Sequence, residues 1–109
     1  MIVAVPIGAS RLTGAEGAIH TFHIPAGTAT RVAAGEDVTV IPTDLRLRPR
    51  DRLVVINADD VTHQIASIIV GPGEQVETRF SEAVSLSGFC SVHSSGQITI
   101  EVDGAVRAP

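Results

Sequence analysis

Apolar residues recur along this chain with a period near two, in short runs that Gly, Pro, Asp and Asn separate. Such alternation predicts half-buried strands joined by turns, and no helix of useful length is indicated. The predicted strands cover residues 2–7, 18–24, 30–33, 37–41, 45–48, 52–57, 63–70, 75–81, 84–90 and 97–102. We expect seven or eight of them to form, at a spacing typical of an all-β sandwich.

Composition agrees with this pattern and bounds the size of the fold. The chain has 109 residues, enough for one domain, which we place over 1–109 with a core at about 18–103 and a tail at each end. Hydrophobic residues make up 44 % of the chain but aromatic residues only 3 %, so the core is expected to be aliphatic. Val and Ile favour strands.

Charge and hydropathy exclude several classes of partner. The formal net charge is −4, which makes nucleic acid a poor candidate partner. No run of 18 apolar residues is present, so no transmembrane segment is predicted. The apolar opening at 1–8 lacks a positive leading region and is interrupted by Pro6, so we do not interpret it as an intact signal peptide.

Candidate chemistry concentrates in the second half of the chain. The segment Cys90-Ser-Val-His93 places a thiol and an imidazole three residues apart at the end of a predicted strand, and His63 stands 27 residues before Cys90. Two imidazoles and one thiolate form a soft donor set of the kind that suits copper. The sequence therefore predicts a metal site made of His63, Cys90 and His93, with one copper ion (Cu+/Cu2+) as its cofactor.

The order of these motifs resembles the cupredoxins, the small type 1 blue copper proteins, over roughly residues 35–102. The resemblance rests on the segment 47–57 ending in Asn57, on His63, on Gly71-Pro-Gly73-Glu, on Phe80, and on Gly88 to His93 followed by Gly96 and the strand 98–102. It implies a Greek-key β-sandwich with a type 1 copper centre at one end, used for single-electron transfer.

The chain departs from that family at the axial position, where a weak Met ligand usually follows the last histidine. The only Met is Met1. Two residues compete for the position, Gln97 as a donor and Ile98 as a lid that does not coordinate. If Ile98, Ile100 and Val102 face the core, strand alternation places Ile98 beneath the metal, and we favour that arrangement.

The resemblance also suggests how the site meets its partner. Electrons would pass through an exposed edge of His93, in an apolar patch that includes Ala58, Val61, Val92 and the turn 71–73. Asp59 and Asp60 at this end would favour a partner with a basic rim. Such a chain would act as a monomer toward a redox partner protein at the His93 end.

Several other polar residues carry alternative interpretations. Asn57 either links its loop to the Cys90 loop or simply forms a turn. His20 and His23 have opposite strand parity and are interpreted as surface or hydrogen-bonded residues. Phe89 is expected to be a packing residue, on the face opposite the thiol. A positive stripe is expected if the run stays extended, with a solvated face as the default, over Arg46, Arg48, Arg50 and Arg52.

Three functions remain open on sequence grounds. The first is a one-electron carrier with a type 1 copper site that lacks an axial Met. The alternative is a Cu(I)-binding or delivery module without redox cycling, and the third is a metal-free sandwich used for protein interaction. We do not expect an enzyme, because no second metal or substrate pocket can be named. By inference from copper loading, we expect a periplasmic, cell-surface or extracellular protein.

Overall fold

The computed structural model describes residues 17–38 and 40–103. Within them the chain forms eight strands and one short helix. The strands are β1 (Ile19–Ile24), β2 (Asp44–Leu47), β3 (Arg52–Asn57), β4 (His63–Ile65), β5 (Ile68–Val70), β6 (Gln75–Arg79), β7 (Val84–Phe89) and β8 (Gln97–Val102). The helix α1 (Thr28–Ala33) lies between β1 and β2.

The strands form two three-stranded sheets and one hairpin. The first sheet has the order β1-β3-β6, with β1 parallel and β6 antiparallel to β3. The second has the order β2-β8-β7, with β2 parallel and β7 antiparallel to β8. Strands β4 and β5 make the hairpin. Because the chain passes from one sheet to the other and back, the connections cross the ends of the sandwich.

Aliphatic side chains from both sheets form one buried core. Leu53 and Val55 of β3 belong to the same cluster as Ile98 and Ile100 of β8. Alternation along β8 is as predicted, since Ile98, Ile100 and Val102 are buried and Gln97 is exposed. The predicted class, an all-β Greek-key β-sandwich of seven to eight strands, is confirmed.

Three strand predictions need correction, and a fourth lies outside the described residues. The predicted strand at 30–33 is wrong, because this segment belongs to α1. Residues 37, 38, 40 and 41 of the predicted strand 37–41 are not in a strand. The predicted strand 63–70 is divided into β4 and β5 by a turn at Ala66 and Ser67. The strand predicted at 2–7 is outside the described residues.

The helix that the strand pattern missed has both local and distant causes. Alanine, the best helix former, occupies two of the six positions and also follows the last one. Gly27 and Gly35 flank the helix with φ angles of 87° and 84°, which a side chain would disfavour. The N–H groups of Gly27 and Ala29 donate to the carboxylate of Asp59, 32 and 30 residues away, at 2.9 Å each. No local sequence pattern shows that distant contact.

Candidate metal centre

The hairpin places His63 next to the segment that contains Cys90. Ile65 of β4 forms an antiparallel bridge with Cys90, just beyond the end of β7. The N–H of Ser91 donates to the carbonyl of Gln64 at 2.9 Å, which extends the pairing by one residue toward His63. His63 and Cys90, which are distant in sequence, thus lie on neighbouring segments at one end of the sandwich.

A tight loop joins Cys90 to β8 and holds His93. The N–H of Cys90 donates to the carbonyl of Gly96 at 3.0 Å, and the N–H of Gly96 donates to the carbonyl of His93 at 2.9 Å. Gly96 has a φ of 74°, a conformation that favours glycine over residues with side chains. The loop therefore returns on itself within seven residues, 90–96, and keeps His93 beside Cys90.

The Cys90 sulfur is enclosed and faces hydrogen-bond donors. The residue has no exposed surface. Burial raises the pKa of the Cys90 thiol, and the backbone N–H groups of Val92 and His93, which donate to the sulfur, oppose that rise. Since a metal binds the thiolate and not the thiol, these two donors favour the form that a metal needs.

The His63 ring is buried, and both of its nitrogens have side-chain partners. Its Nε2 lies 2.9 Å from Oδ2 of Asp59, and its Nδ1 lies 2.8 Å from the hydroxyl of Ser91. The hydrogen bond from His63, together with N–H groups of Ala29 and Gly27, holds the pKa of the Asp59 carboxyl well below its usual range despite burial. Three backbone N–H groups also donate to the Asp59 carboxylate, so this group acts as an acceptor toward His63 and assigns the proton of a neutral ring to Nε2. In the neutral ring Nδ1 then keeps its lone pair and accepts from Ser91.

The His93 ring is held in a different way, between two backbone carbonyls. Its Nδ1 lies 2.9 Å from the carbonyl oxygen of Gln97, and its Nε2 lies 2.6 Å from that of Ile41. A neutral imidazole has only one N–H, so it can donate to only one of these two acceptors. The other ring nitrogen then faces an oxygen with no proton between them, unless the ring carries a second proton.

The chemistry of this donor set fits one soft metal ion, although the rings do not converge on a common point. Among the described residues, no group of three His, Cys, Asp or Glu side chains is placed to hold a metal. Each imidazole nitrogen is already in contact with a protein partner. Metal binding by all three residues would require one nitrogen of each ring to exchange its present partner. At His63 that nitrogen is Nδ1, whose lone pair now faces the hydroxyl of Ser91.

The structure corrects the expected surface around this site. His93 is only 7 % exposed and Val92 is fully buried, so the expected exposed edge of His93 is wrong. Asp59 is also buried and cannot bias a partner from the surface, whereas Asp60 is exposed. His93 is buried because the segment that carries Ile41 covers its ring. Exposed apolar residues do remain at this end, namely Ala58, Val61 and Pro72.

Asn57 stabilises the His63 loop, but not through the Cys90 loop. Its Nδ2 donates to the carbonyls of Val61, Gly71 and Val70 at 2.8, 3.0 and 3.1 Å, and its Oδ1 accepts the N–H of Asp59 at 2.9 Å. The link to the Cys90 loop comes instead from Ser91, whose hydroxyl also accepts the N–H of Gln64 at 2.9 Å. Asn57 therefore forms a turn through Asp59, as one of the two interpretations expects, and also links its loop to residues 70 and 71, which neither interpretation expects.

Sequence reasoning missed Asp59 and Ser91 as neighbours of His63. The spacing of Asp59 and His63, four residues apart on one loop, was the available signal for the first. No comparable signal marks Ser91, because its contact with His63 spans 28 residues.

The remaining histidines are outside this site. His20 is partly exposed and its Nε2 lies 3.0 Å from the buried carboxylate of Asp51, as expected for a hydrogen-bonded residue. Asp51 also accepts the N–H groups of Ala18 and Arg48 at 2.9 Å each. His23 is exposed. Both lie on β1, whereas His63 begins β4, the strand that pairs with Cys90, and His93 lies on the Cys90 loop.

The positive stripe does not form. Pro49 and Arg50 make a turn in which Arg50 has a φ of 78°, so the run is not extended there. Arg52 lies in β3 and pairs with Glu77 at 3.1 Å. Phe89 is exposed on the face opposite the buried Cys90, as expected, but at 53 % exposure it is not the packing residue that the sequence predicts.

At the candidate axial position the two competing residues separate clearly. Ile98 is 2 % exposed, whereas the side chain of Gln97 faces solvent. Only the backbone carbonyl of Gln97 contacts a candidate ligand, through Nδ1 of His93.

Within residues 17–38 and 40–103, no helix is long and apolar enough to cross a bilayer.

Comparison with known proteins finds similar solved structures. No model of a protein family and no curated protein matches the chain. A purple cupredoxin from Nitrosopumilus maritimus is 21 % identical over 77 % of this chain and 99 % of its own, with a TM-score of 0.48. Amicyanin from Paracoccus versutus is 12 % identical over 84 % of this chain and 85 % of its own, with a TM-score of 0.48. An amicyanin variant in its reduced Cu(I) form at pH 4 is 16 % identical over 84 % and 87 %, with a TM-score of 0.47.

These structures are cupredoxins, the proteins that the motif order of this chain resembles. All three identities are below 25 %. The function proposed next therefore rests on the residues and contacts of the chain itself.

Proposed function

We propose that this protein binds one copper ion through His63, Cys90 and His93 and acts as a one-electron carrier. The observation that carries the proposal is the placement of a buried cysteine, whose sulfur faces two N–H donors, beside two buried histidines at one end of a rigid sandwich. Two imidazoles and one thiolate, held by a folded scaffold, form the donor set of electron-transfer copper sites.

The residues of the chain have distinct tasks in this proposal. Cys90 supplies the thiolate, which the N–H groups of Val92 and His93 stabilise. His63 supplies Nδ1, since its Nε2 is committed to Asp59. His93 supplies a nitrogen that now faces a backbone carbonyl. Bound copper would supply the redox chemistry, gaining one electron to become Cu(I) and losing it to become Cu(II).

Burial favours a carrier over a delivery module. A protein that hands copper to a partner needs ligands that the partner can reach, because transfer proceeds by exchange of ligands. Cys90 has no exposed surface, and His63 and His93 are 1 % and 7 % exposed. An electron can leave such a site through a few ångströms of protein, whereas the ion itself would require the loop to open.

The fourth position in this proposal has no protein donor. Ile98 would lie over the metal as a hydrocarbon lid, while Gln97 faces solvent. Loss of a donor favours Cu(I) over Cu(II), so the reduction potential is expected to be higher than with an axial oxygen or thioether ligand.

The apolar residues at this end suggest how a partner docks. Val61 is 41 % exposed, and Ala58 and Pro72 are exposed as well. The amide of Asn57 donates to the carbonyls of Val61 and Gly71, which brings these two segments together. Redox partners typically bury less than about 1,200 Å² in total and separate quickly, which a small apolar patch permits. We propose a monomer that meets a redox partner protein at this end, in a periplasmic, cell-surface or extracellular compartment.

Metal analysis tests the ligand set directly. Protein loaded with Cu(II), or with Cu(I) under anaerobic conditions, is passed through a desalting column and its copper content is measured. Wild type is expected to retain one copper per chain. Cys90→Ser and His63→Ala are expected to retain far less, whereas His23→Ala, which removes an exposed histidine of β1, is expected to match wild type. Equal retention by Cys90→Ser would contradict the proposal.

A further inference from the structure

The carboxylate of Asp59 is a buried junction between α1 and the His63 loop. The residue is 4 % exposed. Its Oδ1 accepts the N–H groups of Gly27 and Asp60, its Oδ2 accepts the N–H of Ala29, and Nε2 of His63 also lies against Oδ2, all at 2.9 Å. Three of the four contacts are backbone donors, which a buried carboxylate needs to replace lost hydration.

Only one of those four contacts involves a group whose proton can lie on either of two atoms, namely the imidazole of His63. The three backbone N–H groups are fixed donors, so they keep Asp59 in place regardless of the histidine. The imidazole of His63 carries its proton on either Nδ1 or Nε2 when neutral. A fixed acceptor beside Nε2 selects the tautomer with the proton there and leaves the Nδ1 lone pair directed at the hydroxyl of Ser91.

From this geometry we infer that Asp59 is a positioning residue, which fixes the tautomer and ring orientation of His63 so that Nδ1 presents its lone pair. This inference rests on the proposed function in one respect, namely that His63 is a metal ligand. Histidine ligands commonly donate their second ring N–H to a carboxylate, and loss of that carboxylate costs about 10- to 100-fold in metal affinity.

A purely structural role for Asp59 makes a different prediction. If the carboxylate served only to anchor the start of α1, its loss would lower stability without changing the tautomer of His63. Thr28→Ala provides a matched control for that role. Thr28 is buried at the start of α1 and its hydroxyl donates to the carbonyl of Pro25 at 2.7 Å, a hydrogen bond that involves neither Asp59 nor His63.

The test measures the tautomer in the metal-free full chain by ¹⁵N NMR of the histidine side chains. The measurement is made at a pH of about 8, where an ordinary imidazole is neutral. Wild type is expected to show protonated Nε2 and unprotonated Nδ1 at His63. Asp59→Asn, whose amide N–H₂ can donate to Nε2, is expected to shift His63 toward the Nδ1–H tautomer and to weaken Cu(I) binding about 10- to 100-fold in a competition titration. Thr28→Ala is expected to keep both properties of wild type.

Each result decides for or against the inference. A wild-type His63 that carries its neutral proton on Nδ1 would overturn it, and this holds even if Asp59→Asn does not fold. An Asp59→Asn protein that keeps both the Nε2–H tautomer and wild-type Cu(I) affinity would also overturn it. Absence of copper uptake by wild type, with a tautomer that still depends on Asp59, would refute the proposed function and leave the assignment of the tautomer standing.

Discussion

Asn57 connects the loop that carries His63 to the turn after β5, and its replacement by Ala is expected to destabilise the fold. The residue is 1 % exposed. Its amide nitrogen faces the carbonyls of Val61, Val70 and Gly71, and its amide oxygen accepts the N–H of Asp59. Asn57→Ala removes all four contacts and leaves at least the buried carbonyl of Val70 without this donor.

The size of the effect follows from counting donors. An amide has two N–H groups, so the three carbonyls share two hydrogens, and the amide oxygen adds a third hydrogen bond. At about 1 kcal/mol each, the loss of three hydrogen bonds is about 3 kcal/mol. A domain of this size has about 5 to 15 kcal/mol of stability in total. The expected fall in Tm is therefore about 12 to 25 °C.

Thermal and urea unfolding of the metal-free proteins measure this loss. Ser85→Ala serves as the control, because it removes an exposed hydroxyl that donates to Glu101 at 2.9 Å and should change stability by less than about 0.5 kcal/mol. Asn57→Asp keeps the shape of the side chain but turns the two donors into an acceptor, so it should be no more stable than Asn57→Ala at neutral pH. An Asn57→Ala protein within about 1 kcal/mol of wild type would refute this reasoning.

Three further predictions concern the axial position, a buried carboxylate and the surface. If Ile98 is a lid that does not coordinate, Ile98→Met adds a thioether at similar volume and should lower the copper reduction potential in a redox titration; an unchanged or higher potential would contradict this role. Burial raises the pKa of Asp51, but its N–H and imidazole donors outweigh that effect and lower the pKa below 3.8. The stability that the ionised Asp51 adds is therefore present above its unfolded pKa and is lost as the pH falls through its folded pKa. The difference in Tm between wild type and Asp51→Asn should shrink from about pH 6 to about pH 2. A constant difference would contradict a lowered pKa for Asp51. The ion pair of Arg31 and Glu36, at 3.1 Å, has side chains 59 % and 52 % exposed, so Glu36→Ala should change the free energy of unfolding by less than about 0.5 kcal/mol in urea; a larger loss would show that the pair is more than a surface contact.

Local patterning was sufficient for the strands whose two faces differ. In β8, apolar residues at alternate positions predict both the strand and its buried face, and Ile98, Ile100 and Val102 are buried as expected. The same logic fails at α1, where Val32 and the neighbouring alanines permit either a strand or a helix. Contacts with Asp59, about 30 residues away, support the start of that helix, and a window of a few residues does not contain them.

For the candidate site, the sequence predicts which residue types are present but not the environment of their side chains. The identity and spacing of Cys90 and His93 are visible in the sequence because both lie on one short loop. The burial of His93 is not visible, because it depends on Ile41, a residue 52 positions away whose carbonyl oxygen lies 2.6 Å from Nε2 of His93. The partners of His63 likewise come from its own loop through Asp59 and from the Cys90 loop through Ser91. Sequence reasoning therefore named the candidate donors but placed Asp59 and His93 wrongly at the surface.

The most direct test of the proposed function is the visible absorption spectrum of the protein titrated with Cu(II). A thiolate bound to Cu(II) gives an intense charge-transfer band, which should grow until one copper per chain has been added. The band should bleach on reduction, return on oxidation, and be absent in Cys90→Ser. Copper uptake without the band, with reduction to colourless Cu(I), would favour the delivery module instead. No copper uptake at all would contradict the central claim that His63, Cys90 and His93 form a copper site.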